Sequence, residues 1–302
     1  MTSRQIQYII TTYEEGSISK AAQKLFVSQP ALSQSIQLVE RELGAPIFDR
    51  RHSPLTLTYA GERYVAAAMA FQQLELNLQH EISDIQNEQC GWFRVGISML
   101  HGATLLPKIL PQFMEKYPRV EMKIVEKGSN SLAPLLTQNL IDIAFLTTDI
   151  ISQKQMVMIP LCHVQTYLCA GMESELAQTV KPGTPVSIHL LENAPLVTIK
   201  AGHGLHEIQN KIFSDLNTPP KVLFEVESAV LAMQLTACCN AMMLCPRLVM
   251  PALSNPSIAL YPLIEEDYSR ELVLCYKHDT YLSAYMKDFI ELAKSSITDE
   301  MI

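Results

Sequence analysis

The chain is short of positive charge and has no long apolar run. Its 302 residues carry 23 Lys and Arg against 31 Asp and Glu, a formal charge of −8. No stretch of 18 apolar residues occurs and the N-terminus has no signal-like segment, so a soluble, cytoplasmic protein without a membrane partner is expected. No GxSxG, phosphate-binding loop or GxGxxG is present, and no nucleophile–base pair stands at a strand end, which argues against an enzyme. The seven cysteines are odd in number and contain no CxxC, excluding a disulfide framework and pointing to reduced, mostly buried thiols. His203 and His206 form an HxxH without carboxylates or thiols at ligand spacing, so neither a metal site nor a cofactor is expected. Repeats and low-complexity segments are also missing. The length suffices for two or three domains.

An acidic chain is an unpromising nucleic-acid binder until the distribution of charge is considered. Residues 1–60 hold six Lys/Arg and five Asp/Glu, a net of +1, which leaves −9 on the remainder. Within that segment, residues 28–44 read as a helix with two unlike faces. Leu32, Ile36, Val39 and Leu43 form an apolar stripe at helical spacing. Ser28 stands where an N-cap belongs, Pro30 is tolerated only in a first turn, and Gly44 ends the helix. The outward face carries Gln29, Ser33, Gln34 and Gln37, polar but nearly uncharged in its first three turns. Such side chains at a helix N-terminus can read base edges and phosphates in a major groove.

The flanks complete a winged helix-turn-helix. Ile6, Ile9, Ile10 and Tyr13 predict a first helix ended by Gly16, and Ser19 is expected to cap a short second helix. After Gly44, the cluster Arg50, Arg51 and His52, the turn Ser53–Pro54 and the alternating Leu55–Thr58 predict a two-stranded wing with cations at its tip. Beside this helix, phosphate or minor-groove contact by Arg50–Arg51 is preferred to a plain exposed turn.

AAQKLFVSQPALSQSIQLVERELGAPIFDR followed by LTLTYAGE resembles the DNA-binding segment of LysR-type transcriptional regulators. The match is dense over residues 4–62, and later segments fit the family's effector domain. The resemblance implies that Ser28, Gln29, Pro30, Ala31, Ser33 and Gln34 face the major groove, and that Arg50 or Arg51 enters the minor groove of double-stranded DNA. It further implies a dimer of dimers on an inverted-repeat operator, with contact to RNA polymerase possible. A head of net +1 gives the same expectation of several heads per DNA, because avidity must supply what charge does not.

Three segments are expected: a winged helix-turn-helix at 1–58, a linker helix at 59–89 and an effector domain at 90–302. Thr58 is expected to cap the linker helix. Its Phe71, Leu74, Leu78, Ile82 and Ile85 step by three and four, the spacing of a coiled-coil seam, and Cys90-Gly91 should end it. Beyond lies a strand–helix alternation that predicts a mostly parallel α/β body. Strands are expected at Phe93–Ser98, Val120–Glu126, Asp142–Leu146, Val157–Pro160, His163–Cys169, Leu196–Ile199, Val222–Val226, Ala241–Cys245 and Leu272–Tyr276. The pattern resembles the two-lobed, periplasmic-binding-protein-like domain of the same family, with lobe I at about 92–162 and 268–302 and lobe II at about 163–267.

In open α/β sheets ligands sit beyond the carboxyl ends of strands, facing helix N-termini. Four segments answer that description and supply the candidate pocket: Ser98, Met99 and His101; Ser129 and Asn130; Gly202 and His203; and Ser228 after Glu227. Their hydroxyls and free N–H groups suit an anion, a carboxylate in the first instance, and either histidine could add switchable positive charge. Gly204 stands where some family members carry a reactive cysteine, which removes the main residue of a peroxide-sensing reading. A thiol- or redox-responsive regulator using Cys238-Cys239 stays open beside the more economical reading of that pair as core filler. An α/β enzyme with a regulatory head is the alternative of a different class.

Overall fold

The computed structural model describes residues 2–51, 54–85, 90–147, 156–201, 204–253 and 255–297. The chain divides into two compact units, Met1–Ile85 and Gln86–Ile302.

In the first unit, α1 (Ser3–Glu15) opens with a reciprocal cap between Thr2 and Gln5 and closes at Gly16 in the left-handed conformation. The next helix, α2 (Ile18–Lys24), is capped by Ser17 and not by Ser19. Ser17 keeps an extended backbone while its hydroxyl accepts the Lys20 N–H, and Ser19 already lies inside the helix. A turn through Phe26, at φ 54°, leads to α3 (Gln29–Leu43), with Ser28 as N-cap and Gly44 at its end. Leu32, Ile36 and Val39 pack on Ile6, Ile9, Ala21 and Ala22. Leu43 departs from the expected stripe: it is 43% exposed, because the last turn of α3 runs past the edge of this small core. Strands β1 (Phe48–Asp49) and β2 (Thr56–Leu57) pair antiparallel as the wing.

Thr58 then accepts the Gly61 N–H and starts α4 (Tyr59–Ile85). Gly61 is required by close approach, since a Cβ there would stand 2.0 Å from the Ile47 carbonyl oxygen. Val65, Ala68 and Met69 join the head's core, and Phe71, Leu74, Leu78, Ile82 and Ile85 remain exposed.

In the second unit Cys90-Gly91 does not terminate a helix but begins β3 (Cys90–Ile97), whose first residues pair in parallel with β4 (Arg119–Glu126). Between them runs α5 (Met99–Lys116). There follow α6 (Ser129–Thr137), β5 (Ile143–Thr147) and β6 (Met156–Val164). The chain then passes to a second sheet with β7 (Thr166–Gly171), α7 (Glu175–Thr179), β8 (Pro195–Ile199), α8 (Gly204–Asp215), β9 (Lys221–Val226), α9 (Ala229–Cys238), β10 (Met242–Pro246) and β11 (Ile258–Pro262). It returns through 263–269 to β12 (Arg270–Lys277) and ends with α10 (Ala284–Ser295).

The sheet orders are β4-β3-β5-β12-β6 and β11-β7-β10-β8-β9, so the body has two lobes joined by two crossings. In each sheet four of the five strands run in one direction and one runs opposite. In each, the βα units build a parallel half. The exceptions are β7 and β12, the first strand after each crossing, and each pairs antiparallel with both of its neighbours.

Around Phe93 the first lobe packs Phe113, Tyr285 and Phe289, with ring centroids 5.4–5.8 Å apart. At the base of β5, buried Asp142 accepts hydrogen bonds from the Arg94 backbone N–H (2.7 Å) and from its guanidinium (2.6 and 3.0 Å). This ties β5 to β3. Among the described residues no helix is long and apolar enough to cross a membrane.

Candidate DNA-reading face and ligand pocket

Burial of Leu32, Ile36 and Val39 turns the opposite face of α3 outward. Gln29, Pro30, Ala31, Gln34 and Gln37 are exposed on it, and Ser33 is partly covered. Ser28 is exposed too, but its hydroxyl accepts the Ala31 N–H at 3.4 Å, so it organises the helix start as well as facing outward. These side chains need not leave protein partners in the core to meet a base edge.

The wing is held beside that face by Glu40, a residue that pattern-reading missed. One Glu40 carboxylate oxygen accepts the backbone N–H groups of Ile47 (2.9 Å) and Phe48 (3.2 Å), and the other pairs with Arg50 at 3.0 Å. Arg51 lies against Asp49, with its closest contact at 2.6 Å. That contact raises the Arg51 guanidinium above its usual value, through the Asp49 hydrogen bond first and charge attraction second. Both wing arginines already face a carboxylate. His52 lies outside the described residues.

In the second unit all four expected segments reach one cavity, the third through Gly204 and the fourth through Glu227, although not every named residue does. Ser98, Met99, His101 and Ser129 line one cavity of about 70 Å³, enclosed also by Leu100, Ile199, Leu205, Ile208, Ala229 and Val249. Ser98 caps α5, and Ser129 is the first residue of α6. Asn130 does not line the cavity, because its amide donates instead to Glu207 at 2.7 Å. Ser228 also stays out; its hydroxyl caps α9 by accepting the Leu231 N–H, while its neighbours Glu227 and Ala229 line the wall. Gly202 and His203 lie outside the described residues.

His101 cannot be the cation expected of it. Burial lowers its pKa to about 4, and its Nδ1 is shared with the Ser98 hydroxyl at 2.8 Å. Near neutral pH the ring is uncharged. The positive charge comes from Arg270, the first residue of β12, which the sequence reading did not single out. Its guanidinium pairs with Glu207 at 3.3 Å and packs on Gly204, where an added Cβ would meet it at 2.5 Å. Thr147, at the end of β5, is 6% exposed, and its buried hydroxyl has no hydrogen-bond partner among the described residues. A donor-capable hydroxyl left unpaired in a cavity wall is costly unless something occupies the cavity. The sequence signal was weak: Thr147 closes an apolar strand, and Arg270 opens one.

Cys238 and Cys239 are both exposed at the end of α9, which corrects the reading of this pair as core filler. Asn240, after the pair, takes a left-handed turn at φ 50°. Among the described residues no group of three or more His, Cys, Asp or Glu could hold a metal ion.

Together the winged head and the two-lobed pocketed body define a helix-turn-helix regulator with a ligand-binding domain. Two family descriptions match: bacterial regulatory helix-turn-helix protein, lysR family, over residues 3–62, and LysR substrate binding domain over residues 86–297. The chain belongs to the LysR family of DNA-binding transcriptional regulators. It is 26% identical to the uncharacterized HTH-type transcriptional regulator YcgK of Bacillus subtilis, over 98% of this chain and 95% of that one. It is 25% identical to the regulator BsdA of the same organism, over 97% and 100%. Among solved structures it resembles full-length OxyR from Pseudomonas aeruginosa (TM-score 0.71, 22% identity, covering 98% and 94%). It also resembles CbnR complexed with its target DNA (TM-score 0.64, 20% identity, covering 98% and 100%). At these identities the structural likeness is one of fold.

Proposed function

We propose that this regulator responds to a small anion, a carboxylate, held between its lobes by the Arg270 guanidinium and the Thr147 hydroxyl. The observation that carries the reading is one cavity lined both by the largely covered Arg270 guanidinium and by a buried hydroxyl without a partner among the described residues. The N-terminal turns of α5 and α6 reinforce it, since helix starts favour negative charge. The cavity of about 70 Å³ has room for several waters at roughly 10–15 Å³ each, so the ligand is a small organic acid of a few heavy atoms.

Domain limits of 1–58, 59–89 and 90–302 follow from the same reading, with the head facing DNA through Ser28, Gln29, Pro30, Ala31, Ser33, Gln34 and the wing arginines. The exposed stripe Phe71–Ile85 supports pairing of two linker helices, and a dimer of dimers on an inverted repeat supplies the avidity a weakly charged head needs. Ligand acts by differential affinity for two arrangements of the lobes, which alters the spacing of heads and contact with RNA polymerase in the cytoplasm. The ligand is sensed and not consumed, so the protein is no enzyme and needs no cofactor.

The test is calorimetric titration of a panel of small carboxylates into the full chain, with Arg270→Ala and Thr147→Val beside it. A hydrogen bond to a charged group is worth about 1.5–3 kcal/mol, so Arg270→Ala should weaken binding by roughly 10- to 100-fold. The carboxylate should be recovered unaltered. Equal binding by Arg270→Ala, or conversion of the ligand, would sink the proposal. For the head, gel shifts with Gln29→Ala, Ser33→Ala and Arg50→Ala should each show weakened binding; unchanged binding in all three would refute the assigned face.

A further inference from the structure

Cysteine is among the residue types most often fully buried, and here Cys162, Cys169, Cys245 and Cys275 conform. Cys238 and Cys239 do not. They are adjacent, both exposed, and their sulfurs lie 3.6 Å apart.

The turn that carries them is fixed on every side. The Cys239 N–H donates to the Leu235 carbonyl at 2.9 Å, and the Ala241 N–H reaches back to the Thr236 carbonyl at 3.2 Å. Asn240 between them is left-handed, and Gly171 of β7 packs against the turn so tightly that an added Cβ would lie 3.0–3.1 Å from the Thr236 and Ala237 carbonyls and the Asn240 Cα. Two thiols are thus presented to solvent with little freedom left to lose.

We propose that Cys238 and Cys239 form a chelating site for a trivalent arsenical. Soft ions hold thiolate sulfur at about 2.3 Å, and two such bonds to sulfurs 3.6 Å apart meet at about 103°, an angle a pyramidal or tetrahedral centre accommodates. A pyramidal trivalent centre needs only one further ligand, which water or a substituent supplies. Zinc would need two more protein or solvent ligands, and no third metal-ligating residue joins the pair among the described residues.

Protonation favours the same partner over an oxidant. The hydrogen bond between the thiols raises the Cys239 pKa. The C-terminal end of α9 also disfavours a thiolate. Oxidation begins from thiolate. Condensation with an arsenical starts from two thiols. With phenylarsine oxide, two As–S bonds form and two S–H bonds break, and both protons leave on the oxide oxygen as one water. Arsenic stays trivalent and no electron acceptor is needed. The pair Cys169 and Cys245, which also interact through their thiols, is buried in the second lobe and closed to such a reagent.

The experiment uses the full chain with phenylarsine oxide in the presence of excess monothiol, read by native mass spectrometry and by titration of fast-reacting thiols. One phenylarsenic adduct per chain should form, survive the monothiol, be removed by a small dithiol, and protect two fast-reacting thiols. Cys238→Ser and Cys239→Ser should each weaken binding by on the order of 100-fold, the loss of a second tethered contact. Both positions are exposed, so an unchanged melting temperature separates this effect from misfolding. An adduct retained by the double variant Cys238→Ser/Cys239→Ser would overturn the assignment, as would stripping of the wild-type adduct by monothiol.

Discussion

Glu40 makes a quantitative claim about how the head recognises DNA. Its carboxylate accepts two backbone N–H groups of the wing and holds Arg50 at 3.0 Å. Glu40→Gln keeps one oxygen able to accept both N–H groups, so the wing should still fold, at a loss of about 1–2 kcal/mol from the weakened charge assistance. For a head of this size that lowers its melting temperature by roughly 4–15 °C. Two effects on DNA then oppose each other. Arg50 is released from a half-exposed ion pair worth about 0.2–1 kcal/mol, and the head gains a unit of net positive charge, so sequence-independent binding should rise up to about fivefold. The same release removes what aims Arg50, and a misplaced groove contact costs on the order of 1–3 kcal/mol of discrimination. Positioning wins for specific DNA: the ratio of operator to random-sequence affinity should fall by roughly 5- to 100-fold. Arg50→Ala should instead weaken both and lower the salt slope by about 0.9 per head. Fluorescence anisotropy on operator and random duplexes at several salt concentrations measures all of this. A ratio unchanged in Glu40→Gln would refute the claim that Glu40 aims the wing.

Asp142→Ala should destabilise the body by about 3–5 kcal/mol, since it strips a buried carboxylate from Arg94 and leaves that guanidinium without its main partner. Denaturant unfolding followed at Trp92, two residues away on β3, measures it. His101 has a folded-state pKa of about 4, below its unfolded value, so the folded state resists protonation. Its contribution to stability is complete above about pH 6.5 and is lost as the pH falls toward 4; His101→Gln should flatten the acid side of the melting profile over that window, and a parallel profile would refute the assigned cause. Phe26 is 95% exposed at φ 54°, a conformation costly for a bulky residue. Phe26→Gly should stabilise the head by about 1 kcal/mol, a rise in its melting temperature that differential scanning calorimetry would detect.

What could be read from the chain alone divides along a physical line. The recognition helix was legible because its signals are local: Ser28, Pro30, the Leu32–Val39 stripe and Gly44 each act within a turn or two. So were the hydroxyls at Ser98 and Ser129, because a serine between a strand and a helix is an N-cap whatever the fold. Residues whose role depends on partners far along the chain were not legible. Arg270 reaches a cavity bounded by residues from Ser98 to Val249, and nothing near it in sequence announces that. Glu40 looked like one more charge on a helix until the wing folded back onto it. Leu43 and the cysteine pair failed for the opposite reason: apolar character predicts burial only where the core extends that far, and the last turns of α3 and α9 run beyond it. The reversed course of β7 and β12 was not legible either, because alternating strands and helices do not reveal which strands change lobes.

One arrangement recurs in both units and changes how ligand binding should be viewed. Each well-placed cation meets a carboxylate: Arg50 with Glu40, Arg51 with Asp49, Arg270 with Glu207. On the proposed reading, an arriving phosphate or carboxylate would exchange with a resident acid and not meet a bare charge. Exchange lowers the net gain per contact, because the displaced acid must find solvent or another donor. It also sharpens selectivity, since an anion that engages only the cation gains little over the acid it displaces. Geometry that also satisfies Gln29 and Gln34, or the Thr147 hydroxyl, then decides the outcome. Beside the pocket, the acid that pairs with Arg270 is held a second time: Glu207 of α8, in the second lobe, accepts from the amide of Asn130 of α6, in the first. Displacing Glu207 from Arg270 thus loosens a clasp between lobes. Glu207→Gln, which removes the competing charge but can keep the amide contact, should bind small carboxylates more tightly than wild type; because Glu207 is partly exposed, the gain should be a modest 2- to 10-fold. A carboxylate that binds Glu207→Gln more weakly would mean that the acid cooperates with the ligand and does not compete with it.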